Sequence, residues 1–250
     1  MDRLVYTALS GLRGHLSAQA AIANNLANAS TVGFKAEKID FEALTLRGGG
    51  SQLETRSPTS EAVKDADRSA GAVISTANPL DVAINGDAWM AVQATDGTEG
   101  YTRRGDLQIT PSGVLQTGDG FPVIGAGGGP ITIPPNDGVT ISGDGSILIV
   151  PIGESADRAQ ALDKIKLVST EGSQTLKGMD NLLKVVGGGT LPEDMNATVQ
   201  SGALEQSNVN MTTALVDMIE NQRSYEVAAK LLSTTQQMDE SGAQLMRLPS

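Results

Sequence analysis

Ala23-Asn24-Asn25-Leu26-Ala27-Asn28-Ala29-Ser30-Thr31-Val32-Gly33-Phe34-Lys35 ends one kind of chain and begins another. Asparagine side chains bond nearby backbone or a facing helix, Gly33 permits a turn with positive φ, and Phe34 can anchor the exit against an apolar surface. Upstream, Val5, Leu9, Leu12, Leu16, Ala20, Ala23 and Leu26 recur at steps of three or four. That spacing puts them on one stripe of an amphipathic helix, so residues 1–35 read as a helix and its exit. At the far end Met211, Leu215, Met218, Gln222, Tyr225, Ala229 and Leu232 alternate steps of four and three, a coiled-coil-like seam with one polar interruption on a helix over residues 208–250. Ser207, Asn208 and Asn210 stand at its start as N-cap candidates.

At about 1.5 Å per residue the two helices span roughly 40 to 60 Å, more than a small central domain covers unaided. Periodicity fits two arrangements equally: an antiparallel hairpin closing one monomer, or packing against partner chains.

Between the helices lie 9 of the 10 prolines and 25 of the 29 glycines, all from Gly48 to Leu204. Short alternating runs such as Leu80, Val82, Ile84 and Leu107, Ile109 are cut by Asn85-Gly86, Asp96-Gly97, Ser112-Gly113 and Asp119-Gly120, which are strand and turn signals. Ile131 to Ile133, Val139 to Ile141, Ile147 to Val150 and Ile165 to Val168 continue the pattern with no helix long enough for a parallel crossover. An antiparallel sheet or small barrel over residues 79–190 follows. Thr45 to Thr76 and Gly187 to Leu204 are rich in Ser, Gly and charge, so residues 36–78 and 191–207 read as extended connectors. The expected class is α+β: long terminal helices pairing as a coiled coil, extended connectors and a central antiparallel all-β domain.

Composition narrows the function. A chain of 250 residues with 39% apolar content buries a real core in one or two domains. Membrane insertion is not expected, since apolar runs such as Ile147 to Val150 fall far short of the roughly 20 residues of a spanning helix. Tyr6 to Ala20 are broken by Thr, Ser, Arg, Gly and His and lack the apolar core of a secretion signal, so export is expected to use another machine. The net charge of −11 resides mostly in the middle, and no basic stripe suited to nucleic-acid phosphates is present.

Candidate chemistry is sparse. The absence of cysteine removes disulfides, thiolate nucleophiles and Cys-based zinc sites. His15 is the only histidine, so neither an HExxH zinc site nor a Ser-His-Asp triad near the β domain can be assembled; it reads as a helix-face or interface residue. The glycine clusters Gly48 to Gly50, Gly127 to Gly129 and Gly187 to Gly189 lack the Gly-Lys-Ser/Thr ending of a phosphate loop. Asp119 and Asp144 sit in Gly-Asp-Gly turns without the spaced carboxylates of a calcium loop. Trp89 beside Met90 reads as core or sheet-face packing. Only a glycosidase-type carboxylate pair stays open, because sequence does not give carboxylate separations.

The stretch quoted first resembles the signature of the flagellar rod and hook protein family, where an Asn-Asn-Leu-Ala-Asn run ends the N-terminal helix and a Thr-x-Gly-Phe-Lys turn leads into the connector. The resemblance continues through Leu80-Asp81-Val82-Ala83-Ile84-Asn85-Gly86, Tyr101-Thr102-Arg103-Arg104-Gly105-Asp106-Leu107, Gly113 to Thr117 and Gly120 to Gly125. Near the far end, Gly202-Ala203-Leu204-Glu205-Gln206-Ser207-Asn208-Val209-Asn210 and Ile219 to Glu226, with Arg223, Tyr225 and Glu226, are similar to the segments that open and fill the family's C-terminal helix. The opening Met1-Asp2-Arg3-Leu4-Val5-Tyr6 and the length are most similar to proximal rod members, with distal rod members next. Trp89-Met90 replaces the aromatic pair more usual in the family and Asp87 is unexpected, which bears on local sheet packing.

The resemblance implies a non-enzymatic structural subunit of the bacterial flagellar basal-body rod, part of the drive shaft that transmits motor torque to the hook. Its helices would form the inner layer of a helical tube, and its β domain would face outward. The implied assembly residues are Leu9, Leu12, Leu16, Asn24, Asn25, Leu26, Asn28, Gly33, Phe34, Ser207, Asn208, Val209, Asn210, Leu215, Met218, Ile219, Arg223 and Tyr225. Implied partners are other proximal and distal rod subunits, export-gate or ring components and the flagellar type III export apparatus. The implied location is the periplasmic rod, reached without a cleaved signal peptide. No cofactor, metal, nucleic acid or small-molecule substrate is expected. The alternatives are a distal rod or hook subunit of the same family, and a secreted β-domain enzyme or carbohydrate-binding module with helical extensions, which ligand binding by residues 79–190 alone would reveal.

Overall fold

The computed structural model describes residues 2–43, 59–154, 158–178 and 180–245. Its contacts divide the chain into a helical unit, Met1–Ala27, Glu37–Lys64 and Asn210–Ser250, and a β unit, Asn28–Ala36 and Asp65–Val209.

In the helical unit, α1 (Asp2–Ala27) and α2 (Met211–Leu245) lie against each other, and β1 (Glu37–Ala43) pairs with β2 (Thr59–Ala66), whose last two residues are counted with the β unit. Both helices are free of proline, and α2 starts where Asn210 Oδ1 accepts from the Thr212 and Thr213 amides at 3.0 and 3.1 Å, which caps two donors the helix leaves unpaired.

The β unit holds β3 (Val73–Ser75), β4 (Val82–Ile84), β5 (Ala88–Gln93), β6 (Glu99–Thr102), β7 (Leu107–Ile109), β8 (Leu115–Thr117), β9 (Gly138–Ile141), β10 (Ser146–Val150), β11 (Gln160–Lys164), β12 (Leu167–Ser169), β13 (Thr175–Lys177), β14 (Leu183–Val185), β15 (Val199–Ser201) and β16 (Ala203–Glu205). Five strands form a sheet in the order β12-β5-β6-β14-β13, three more a sheet β11-β10-β9, and the rest pair as β7-β8, β15-β4 and β16-β3. Every one of these pairings whose register is described is antiparallel.

Strand β5 explains where the core sits. Its run Ala88-Trp89-Met90-Ala91-Val92 is apolar at every position, so both faces must be covered. Ala88, Met90 and Val92 join a large cluster with Val82, Leu115, Ile131, Ile147 and Leu167, while Trp89 and Ala91 join a smaller one with Tyr101, Val168 and Leu183. Trp89 and Met90, the pair that departs from the family pattern, are therefore buried on opposite faces of one strand.

Several boundaries fall elsewhere than periodicity places them. The N-terminal helix stops at Ala27, inside the Asn-rich run, and its exit, read with the helix as residues 1–35, belongs instead to the β unit, which takes in residues 28–36. The C-terminal helix begins at Met211 instead of residue 208, because Asn208 is engaged within the β unit and Asn210 is the cap. The stretches read as extended connectors carry strands: β15 and β16 lie within 191–207 and pair with β4 and β3, the latter within 36–78. Their weak apolar content concealed a backbone ladder, which needs no apolar side chain to form. Ile131 to Ile133 forms an isolated bridge at Thr132, with Ile131 and Ile133 buried, and no strand. The cluster Gly48 to Gly50 lies outside the described residues.

No described helix is long and apolar enough to cross a membrane. The described residues contain no group of three or more His, Cys, Asp or Glu placed to hold a metal ion.

Candidate functional site

The end of α1 is tied down by amide side chains. Asn24 Nδ2 donates to Glu37 Oε1 at 2.7 Å. Asn25 pairs with the Glu37 backbone in both directions, Nδ2 to the carbonyl at 3.0 Å and the Glu37 amide to Oδ1 at 2.8 Å. An asparagine amide presents a donor and an acceptor spaced like a peptide's, so Asn25 serves as one rung of backbone at the start of β1.

Within the β unit, residues 28–36 form the chain's entry. The Thr31 amide donates to the Asn28 carbonyl at 3.1 Å, and Gly33 then turns with φ +67° while its amide donates to the Glu205 carbonyl at 2.8 Å. A Cβ at Gly33 would overlap the Arg103 carbonyl and the Arg104 amide, so only glycine lets this turn approach the neighbouring backbone. Phe34 is buried, with Lys177 Nζ 3.7 Å from its ring centroid and bonded to the Lys35 carbonyl at 2.8 Å. Asn208 closes the entry: its Oδ1 accepts from the Ala36 amide at 2.8 Å, its Nδ2 donates to the Asp67 carbonyl at 2.9 Å, and its own amide donates to the Phe34 carbonyl at 3.3 Å.

Beneath the entry lies a buried charge cluster. Glu205 Oε1 accepts from Lys35 Nζ at 2.6 Å and from the Gly71 amide at 2.7 Å, and Oε2 accepts from Arg103 Nε at 2.6 Å. All three side chains are at most 3% exposed. Arg103 also donates to the Ile84, Gly86 and Ala88 carbonyls at 2.6 to 2.9 Å, and Lys35 bonds the Ser69 carbonyl at 2.7 Å. Each charge is thus paired and hydrogen-bonded, the condition under which buried ions persist. Burial pulls the Lys35 pKa below its ordinary value against the opposing pull of the Glu205 carboxylate. The arrangement joins segments at residues 35, 103 and 205.

The nearby polar cleft, about 190 Å³, is lined by Thr31, Gly33, Phe34, Arg104, Asp119 and Asn181 among others. Its cation is neutralised: Arg104 pairs with both Asp106 oxygens at 2.7 and 2.9 Å and with Asp119 at 2.6 Å. Asp144 caps its own turn through the Ser146 amide and hydroxyl.

In the helical unit His15, Gln19 and Asn221 meet through hydrogen bonds, and many of the large apolar side chains face outward. Leu9, Leu16, Met211, Leu215, Val216, Ile219, Val227, Leu231 and Met238 are 41 to 69% exposed. The less exposed positions on α2 are Ala214, Met218, Asn221, Tyr225, Ala228, Ala229, Leu232 and Thr235, which share Met218, Tyr225, Ala229 and Leu232 with the seam periodicity suggests. On α1, Gly14 and Ala21 are buried, whereas Ala20 and Ala23 join Leu9 and Leu16 outside. Gly14, Ala21 and Ala214 are the buried positions, and Leu12, Leu26 and Leu232 are half-buried. The side chain of Val5 lies outside the described residues.

Of the residues named from sequence, Gly33 and Phe34 are buried in the entry with Asn208, and Asn210 is the cap. Ser207 Oγ accepts from the Val209 amide at 3.2 Å. Asn24, Asn25, Leu12, Leu26, Asn28, Met218 and Tyr225 are half-buried, and Leu9, Leu16, Leu215, Ile219 and Arg223 are exposed. Sequence reasoning missed Lys35, Arg103, Glu205, Gln19 and Asn221. The signal for the first three was available: each is a charge inside a family-like motif, and three such motifs far apart in sequence share one site.

Comparison with known proteins agrees along the whole length. Residues 5–35 match a family model described as flagella basal body rod protein, residues 83–149 one described as flagellar hook protein FlgE/F/G D1 domain, and residues 200–245 one described as flagellar basal body rod FlgEFG protein C-terminal. The chain is 37% identical to the flagellar basal-body rod protein FlgF of Salmonella typhimurium over 99% of its own length and all of the relative's. It is 39% identical to FlgF of Escherichia coli over 94% of both chains. Against the flagellar basal-body rod protein FlgG of Bacillus subtilis it is 31% identical over 95% of this chain and 97% of the relative.

Proposed function

We propose a mode of assembly for this chain from the premise that it belongs to the flagellar basal-body rod protein family, as a structural subunit of the proximal rod and not an enzyme. The rod transmits torque. A shaft subunit must therefore bind its neighbours through surfaces that its own fold leaves unsatisfied.

The observation that carries the proposal is the outward apolar face of the helices. Met211, Leu215, Ile219, Val227 and Leu231 follow each other on α2 at multiples of four residues, and Leu9 and Leu16 with Ala20 and Ala23 line the exposed side of α1. Such a surface is covered by helices of neighbouring subunits, which pack as a coiled-coil layer, and heterologous contacts that do not close generate a helical filament. The neighbours are other rod and hook subunits. The export-gate or ring components and the type III export apparatus, which delivers the chain to the periplasmic part of the basal body, are further proposed partners. Asn24, Asn25, Leu26 and Asn28 hold the helix exit, while Gly33, Phe34, Ser207, Asn208, Val209 and Asn210 hold the entry and the α2 start.

Leu16→Asp and Leu215→Asp test this. Both sites are exposed, so the emission of Trp89, the single tryptophan, should be unchanged while the variant disappears from purified basal bodies and swimming stops. Normal incorporation of either variant would contradict the proposal. Recovery of the parent chain next to the hook, instead of at the proximal end of isolated rods, would favour a distal position.

A further inference from the structure

We infer that Asn221, together with His15 and Gln19, fixes the register in which α2 lies along α1. Asn221 Nδ2 donates to the His15 carbonyl at 2.9 Å and to Gln19 Oε1 at 2.9 Å, and Asn221 Oδ1 lies 2.8 Å from His15 Nδ1. Both amide protons of Asn221 are used, so its oxygen accepts and His15 Nδ1 carries the proton. Three of the four hydrogen bonds that this half-buried side chain can make go to two residues one turn apart on the other helix.

Around His15 the buried α1 positions are Gly14 and Ala21, with Ala8, Gly11, Leu12, Ala18 and Ile22 partly covered, and none of these side chains can hydrogen-bond. The corresponding α2 line contains one amide, Asn221, among Ala214, Met218, Tyr225, Ala228, Leu232 and Thr235. A slide of seven residues, about 10 Å, brings Ala214 or Ala228 opposite His15 and Gln19, and alanine can neither accept from Nδ1 nor donate to Oε1. A lone polar residue in an apolar helix seam selects register in this way, at a cost in stability. The consequence reaches the outside of the pair, because the same slide shifts Leu9 and Leu16 relative to Met211, Leu215 and Ile219.

The chain has no cysteine, so it can be labelled at will. Leu16→Cys and Leu231→Cys, both at exposed positions, carry nitroxide labels whose separation is read by pulsed electron spin resonance in the full-length protein. The parent should give one narrow distance. Asn221→Leu, and independently His15→Leu with Gln19→Leu, should add a second population displaced by up to about 10 Å, with Trp89 emission unchanged. A single parental distance in both variants overturns the inference, as does a broad distribution in the parent. The readout does not require incorporation into a rod, so its failure leaves the assembly proposal standing.

Discussion

Glu205 accepts from two cations and a backbone amide in a site closed to water, and that makes it the residue on which the entry of the chain depends. Glu205→Gln removes the charge and leaves Lys35 and Arg103 buried without a counter-ion. The expected cost is about 3 to 5 kcal/mol, read as a lower urea midpoint followed by Trp89 emission. Tyr101 makes a separate prediction. Burial, acting against the bond its oxygen accepts from the Leu191 amide, raises its pKa from 10.0 to about 12. Between those values the folded chain holds a proton that the unfolded chain has lost, so stability contributed by Tyr101 is intact below pH 10 and falls as pH rises toward 12. Absorbance titration of the three tyrosines should show one ionising last, and Tyr101→Phe should remove that phase.

At the scale of elements, α2 depends on its first turn. Asn210→Ala removes an acceptor from two amides and should cost about 1 kcal/mol of helix stability, visible as lost ellipticity with an unchanged β-unit transition. The helices and most turns were legible in sequence: Asn210 was among three N-cap candidates, and Gly97 and Gly113 occupy the hairpin turns expected of them. The face each helix presents was not legible. Periodicity found apolar residues at helical spacing, but Gly14, Ala21 and Ala214 are buried while Leu16 and Leu215 lie outside. A hydrophobic pattern reports the residues that want cover and is silent on which partner supplies it. The strands β15 and β16 escaped for a related reason, since their ladder with β4 and β3 is made by backbone groups that every sequence carries.

The whole molecule shows its β unit to be discontinuous in sequence, built from residues 28–36 and 65–209. A fragment of residues 65–209 therefore lacks Lys35, the Gly33 amide that bonds the Glu205 carbonyl, and the Asn208 bond to Ala36. It should unfold at lower urea than a fragment of residues 28–209, because Glu205 loses one of its two cations and the backbone bonds of the entry go with it. Equal midpoints would show the entry segment to be energetically idle. By itself the sequence determined what is local or repeated: two proline-free helices, a glycine-punctuated antiparallel middle, a turn that only Gly33 permits, and the motifs that carry family membership. The tertiary structure alone decided which distant charges share a buried site, which strands close the β unit, and which helix faces remain open. Those outcomes depend on groups brought together across more than 100 residues, and no periodicity along the chain records such a meeting.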